Sequence, residues 1–136
     1  MRQLVALSLM QQQSASERLR GVSWAYQAEP SDREVLGALV KAVNHDPNVN
    51  VRLAAVDALK KFGQHQVVQR GVLQALSQQD SPIVQVALID WVVDLKDTDS
   101  VGTLQKLTKD TSANDEVRKH AEWGIEQLQP AEGTAK

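Results

Sequence analysis

Three histidines, His45, His65 and His120, are the side chains of this sequence best suited to metal binding or proton transfer, because a neutral imidazole ligates metals and exchanges a proton near neutral pH. Their spacing supports neither task. None has a second histidine, or a carboxylate, at the helical separation that metal motifs use. The stretch HAE at 120–122 puts an alanine between His and Glu and has no second copy. Surface or turn positions are expected for all three. Cysteine is absent, which removes a thiol nucleophile, a thiolate metal site and any disulfide framework. No G-x-S-x-G elbow, P-loop or dinucleotide-binding glycine pattern occurs. GVSWAY, residues 21–26, reads as a helix face that includes a serine. No catalytic residue, metal ligand or cofactor is expected, so the sequence reads as a binding protein and not as an enzyme.

Composition narrows the class. The chain has 136 residues, 42% hydrophobic and 24% charged, enough for one domain with its own core. Aromatics are 4%, and Ala, Leu, Val, Gln and Lys dominate the long stretches, which favours an all-α fold. Fifteen Lys and Arg stand against 17 Asp and Glu, a net charge of −2 that gives no general attraction for a phosphate backbone. Nucleic acid is therefore not expected as a partner. The apolar opening MRQLVALSLMQQQ is too short for a membrane span, so this segment itself is expected to make no membrane contact.

Apolar periodicity predicts eight helices, near 2–13, 15–27, 32–44, 49–62, 66–78, 83–95, 99–109 and 115–128. Ser14 with Glu17 and Ser31 with Glu34 have capping-box spacing. Pro47 and Pro82 stand where a helix start tolerates a missing N–H, and Gly63 is placed to end the fourth helix. The connections are short. Residues 130–136, with a Pro, a Gly and no periodicity, are expected to form a flexible tail.

The pattern repeats. Arg18, Arg52, Gln85 and Arg118 are separated by 34, 33 and 33 residues. Three residues after each stand Gly21, Ala55, Leu88 and Ala121; seven after stand Ala25, Leu59, Val92 and Ile125. In the preceding helices Gly37, Gly71 and Gly102 each stand two residues before a leucine. A fixed period of this length across helix pairs marks a stacked helical repeat, in which no single hairpin buries its apolar face alone.

NHDPNVNVRLAAVDALKKFG, residues 44–63, resembles the HEAT repeat, in the bacterial variety typified by phycobilisome-lyase-type HEAT-like repeats. The resemblance implies an α-solenoid, a right-handed superhelix of about four hairpins near 1–28, 29–62, 63–95 and 96–129. It also implies a ladder between repeats built from a turn Asp and an Arg six residues later, here Asp46 and Arg52. Gln85 replaces the Arg in the third copy, so a continuous ladder is not expected. LVALSLMQQQSASERLRGVSWAY is similar to the C-terminal HEAT regions of bacterial membrane-anchored proteins with an anti-sigma-factor-like zinc finger. That likeness implies an extracytoplasmic fragment of a longer protein; a complete chain would be cytoplasmic.

Trp24, Ala58, Trp91 and Gly124 share one register column, so a large ring alternates with a small residue, as interdigitated packing requires. Trp24 and Trp91 are therefore expected in the core. Trp123 falls one residue earlier, in the column of Ser23, Asp57 and Asp90.

On a wheel of 51–62, Val51, Ala55, Ala58, Leu59 and Phe62 share one face, while Leu53, Asp57, Lys60 and Lys61 point the other way. The resemblance implies that second helices line a concave surface. The residues there would be Leu19, Arg20, Ser23, Leu53, Asp57, Lys61, Val86, Asp90, Asp94 and Trp123. Two readings stand side by side: a solvated face with incidental leucines, or a mixed apolar and acidic groove for a protein or peptide segment. The second makes the chain a monomeric, non-catalytic interaction module. The alternatives are an accessory or lyase-type role in chromophore attachment, as in some HEAT-like proteins, and a nucleic-acid binder of the HEAT-like glycosylase type.

Overall fold

The computed structural model describes residues 2–27 and 32–129. Eight α-helices and no strand occur among them: α1 (Arg2–Met10), α2 (Ala15–Tyr26), α3 (Arg33–His45), α4 (Val49–Lys60), α5 (Gln66–Gln78), α6 (Pro82–Asp94), α7 (Val101–Lys109) and α8 (Asp115–Leu128). The fold is all-α, as the periodicity predicts. The chain divides into two compact units, residues 1–75 and 76–136.

In the first unit α1 and α2 form one hairpin and α3 and α4 the next, and the hairpins stack through α2 on α4 and α1 on α3. The α1–α2 hairpin closes backbone to backbone. A Cβ on Gly21 would stand 2.7 Å from Met10 N and 2.9 Å from Ala6 O, so only glycine admits this approach. Leu36, Leu39, Val43, Val51, Val56, Leu59 and Phe62 make the core between the hairpins.

The second unit pairs α7 with α8 and lays α6 on α8. α6 is apolar nearly all round, and Val84, Leu88, Ile89, Trp91 and Val92 on it are buried. Gly124 on α8 meets Ile89 and Leu104 closely, with 3.1 and 3.3 Å from its would-be Cβ. The small residue thus lets α8 settle against α6 and α7.

The helix ends depart from the sequence reading in four places. α1 stops at Met10 instead of running to 13, where Gln11 N and Gln12 N turn back to Ser8 O and Leu9 O. Ser14 has N-cap backbone but makes no side-chain cap, and the Glu17 carboxylate pairs with Arg20 instead of reaching back to it. Ser31 lies outside the described residues; the cap of α3 is Asp32, whose carboxylate accepts from Val35 N at 3.1 Å. Gly63 is not a left-handed terminator, since no glycine among the described residues has positive φ; α4 ends in a turn at Lys61 and Phe62. The left-handed residue is instead Lys96, with φ 56°. It closes α6 in a Schellman pattern, with Asp97 N on Val92 O and Lys96 N on Val93 O, both at 3.0 Å. The expected tail, 130–136, lies outside the described residues.

One core assignment is corrected. Trp91 is buried at 2% exposure, but Trp24 of the same column is 37% exposed. Trp24 lines an open cavity of about 400 Å³ together with Leu4, Val5 and Leu9 of α1, which leaves it partly in solvent.

Candidate functional site

The column of Arg18, Arg52, Gln85 and Arg118 acts on the turns. Each side chain reaches back to a main-chain carbonyl of the loop preceding its own helix. Arg18 Nη1 donates to Gln12 O at 3.0 Å and to Gln13 O at 2.6 Å. Arg52 Nε donates to Asp46 O at 2.6 Å, Gln85 Nε2 to Gln79 O at 2.9 Å, and Arg118 Nη1 to Asp110 O at 3.2 Å. Glutamine therefore substitutes for arginine at the third position without loss of this contact. Main-chain carbonyls in a tight turn have no helical partner, and these donors satisfy them.

The link between hairpins is a different contact. Asp46, nearly buried, receives Arg18 Nε on Oδ2 at 2.8 Å and Arg18 Nη2 on Oδ1 at 3.2 Å, while Asn48 N donates to Oδ1 at 2.9 Å. The carboxylate thus serves the preceding repeat, and Arg52 grips the Asp46 carbonyl.

In the first unit the exposed side of α2 and α4 is polar and locally paired. Arg20 and Ser23 are exposed, and Arg20 Nη1 pairs with Glu17 at 3.2 Å. Asp57 is exposed and pairs with Lys60 at 3.7 Å. Leu19 and Leu53 are half-buried. Lys61 is tied to its neighbours: Nζ donates to Tyr26 O, the end of α2, and lies 4.8 Å from the Tyr26 ring centre. It joins two second helices and is no free cation.

The second unit carries a more distinctive cluster. Asp90 on α6 and Trp123 on α8 come together through His120, whose Nε2 is 2.6 Å from Asp90 Oδ1 and whose ring stacks on Trp123, centres 4.8 Å apart and planes 26° from parallel. Trp123 remains 39% exposed. Asp94 is exposed one turn beyond Asp90, and Val86 is half-buried. Ile83, two turns before Asp90 on the same helix face, is 61% exposed.

His120 and Ile83 were not among the residues expected here. The signal for His120 was present, since it precedes Trp123 by one helical turn and shares the column of Arg20. Ile83 precedes Asp90 by seven residues, two turns, and an apolar residue there reads as core until α6 is seen to leave that face uncovered. His45 is exposed, and His65 meets the Phe62 ring edge-on at 6.5 Å.

The cluster is suited to recognition: an aromatic surface, aliphatic side chains and carboxylates lie open on one helix pair. The two displaced carboxylates lie elsewhere. Burial pushes Asp97 above the usual carboxylate range, with the Asp99 charge adding and the Asp99 N–H opposing. The Ser112 hydroxyl and N–H hold Asp110 below it. Among the described residues, no group of three or more His, Asp and Glu is placed to hold a metal ion. No described helix is long and apolar enough to cross a membrane.

Residues 35–66, which span most of α3, the following turn and all of α4, match the family model of the HEAT repeat. The chain is also similar to "Uncharacterized phycocyanin operon protein Z" of Pseudanabaena tenuis, 29% identical over 120 residues. That alignment covers 88% of this chain and 58% of the relative, so the chain spans little more than half of that protein's length. No solved structure matches.

Proposed function

We propose that this chain, HEAT-like in its sequence and in its helical hairpins, is a non-catalytic module that binds a protein or peptide segment on the sides its second helices turn to solvent. The observation that carries the reading is Trp123, left 39% exposed and stacked on the His120 that bonds Asp90, on a helix whose Val117, Ala121 and Leu128 are buried. An exposed ring anchors a partner through burial, and flanking carboxylates select basic character. In the first unit the half-buried Leu19 and Leu53, with Arg20, Ser23 and Asp57 around them, offer a second, more polar stretch. The net charge of −2 argues against a nucleic-acid backbone as the ligand.

The test is titration of a partner isolated by pull-down against Trp123→Ala and Asp90→Lys, with Arg33→Glu on α3 as the control on a first helix. Both variants are expected to bind at least about fivefold more weakly and to keep their helical content and melting behaviour. Loss of binding in Arg33→Glu alone would put the site on the first helices.

A second reading is favoured by the relative from a phycocyanin operon: an accessory role in attaching a chromophore to a protein. Mixing the protein with a free bilin and recording the visible spectrum tests it. A spectrum unchanged from the bilin alone rejects direct chromophore binding.

A further inference from the structure

The Asp90–His120–Trp123 cluster has features that a general protein-binding surface does not need. His120 contacts two neighbours, with its Nε2 on Asp90 Oδ1 at 2.6 Å and one ring face on Trp123. One consequence is geometric. The imidazole stacks over part of the indole and Trp123 remains 39% exposed, so part of its surface is open to a partner. The other consequence concerns the carboxylate. His120 takes Oδ1, and Oδ2 has no partner among the described residues, with Asp90 48% exposed in its side chain. A flat aromatic surface and a free carboxylate oxygen are thus joined through one imidazole, which fixes their separation.

The α6 side of the cluster carries negative charge. Asp94 stands one turn on from Asp90 on α6, and Glu116 stands one turn before His120 on α8; both are exposed and neither forms an ion pair among the described residues. Arg118, a nearby cation on α8, is engaged with Asp115 and with Asp110 O. Lys119 is exposed one turn from both Glu116 and Trp123, so on α8 a cation borders the ring, and the uncompensated negative charge lies on the Asp90–Asp94 side of the cluster.

We propose that Asp90, His120 and Trp123 form a receptor for an arginine side chain of the partner, with Trp123 and Asp90 as the contacting groups and His120 as the positioning residue. The guanidinium lies against the exposed part of the indole on the imidazole side and donates its N–H groups to Asp90 Oδ2. Arginine fits better than lysine because a planar, weakly hydrated cation stacks on a ring and hydrogen-bonds a carboxylate in its own plane at once, whereas an ammonium is a compact, strongly hydrated point charge. The inference rests on the reading that this side of α6 and α8 meets a partner, and it supplies the chemistry of that contact.

Three acetylated peptide amides, Leu-Ala-Arg-Ala-Leu and its lysine and citrulline counterparts, test it against the intact chain by NMR. The Trp123 indole N–H resonance is identified by its loss in Trp123→Phe. The arginine peptide is expected to shift the Trp123 and His120 resonances saturably, binding about fivefold or more tightly than the citrulline peptide. Asp90→Asn and His120→Ala should each weaken it by a similar factor. His120→Gln, which retains a donor for Asp90, should restore part of the loss, as a positioning role requires. Equal shifts from the citrulline peptide, or no saturable shift at millimolar peptide, would overturn the arginine receptor. If the natural partner still loses affinity on Trp123→Ala in that case, the binding face stands and only its arginine chemistry fails; a partner indifferent to Trp123→Ala removes the face itself.

Discussion

Arg18 and Asp46 are 28 residues apart in the sequence, and Arg18 Nε lies 2.8 Å from Asp46 Oδ2, with side-chain exposures of 13% and 7%. A two-point ion pair this far from solvent links the α1–α2 hairpin to the turn between α3 and α4. Removing one member strands the other charge in a place water reaches poorly.

Asp46→Ala is accordingly expected to lower unfolding stability by about 3 kcal/mol. Glu17→Gln, which breaks the exposed Arg20 pair, should change it by no more than about 0.5 kcal/mol. Urea unfolding of both variants makes the comparison; equal costs would show that the Arg18–Asp46 contact holds nothing together.

The two tryptophans of one register column should behave oppositely. Trp91→Ala removes a ring buried at 2% exposure and is expected to cost about 3–5 kcal/mol. Trp24→Ala, at 37% exposure, should cost about 1 kcal/mol or less. Thermal melts distinguish them, and a Trp24 cost matching that of Trp91 would return Trp24 to the core.

Gly37, Gly71 and Gly102 align in the sequence and differ in space. A Cβ on Gly71 would meet Val40 Cγ2 at 2.7 Å and Cγ1 at 2.8 Å, whereas one on Gly37 or Gly102 meets nothing within 4 Å. Gly71→Ala should therefore destabilise by about 1–3 kcal/mol. Gly37→Ala should stabilise by about 0.5–1 kcal/mol, since alanine costs the unfolded chain less freedom to order into a helix. Denaturation midpoints read both signs, and a shared sign would refute the contrast.

Asp97 sets a pH dependence. Burial raises its pKa above 3.8, so in the interval above 3.8 the folded state holds more protons than the unfolded state, and stability falls as pH rises through it. Asp97→Asn keeps an acceptor for Asp99 N, which Asp97 Oδ1 now serves at 3.1 Å, and removes the buried charge. Its melting temperature should exceed that of the parent at pH 7, with the gain shrinking as pH approaches 3.8. A gain that persists unchanged at acid pH would assign the effect to something other than ionisation.

The sequence by itself determined that the chain is helical, where most helices begin and end, and that they recur in pairs, because apolar periodicity, caps and prolines act within a few residues of one another. The starts of α4, α5 and α8 at Val49, Gln66 and Asp115, and the ends of α5, α7 and α8 at Gln78, Lys109 and Leu128, fall where that reading puts them. It misplaced the end of α1 and the start of α3: Gln11–Gln13 are good helix formers at a point where the chain must reverse, and Asp32 caps in place of its neighbour. It also found the columns of Asp90 and Trp123, since register is a property of spacing. Only the tertiary structure decided what fills each column. Trp24 and Trp91 share a register and part ways because Trp24 borders an open cavity against α1, whereas Trp91 lies on the side of α6 that also buries Val84, Leu88 and Val92. Asp46 turned to Arg18, and His120 joined Asp90 to Trp123, through contacts spanning 28 and 30 residues. Such contacts depend on how closely one helix approaches another, as where Gly124 lets α8 settle against Ile89 and Leu104, and local spacing does not record that distance.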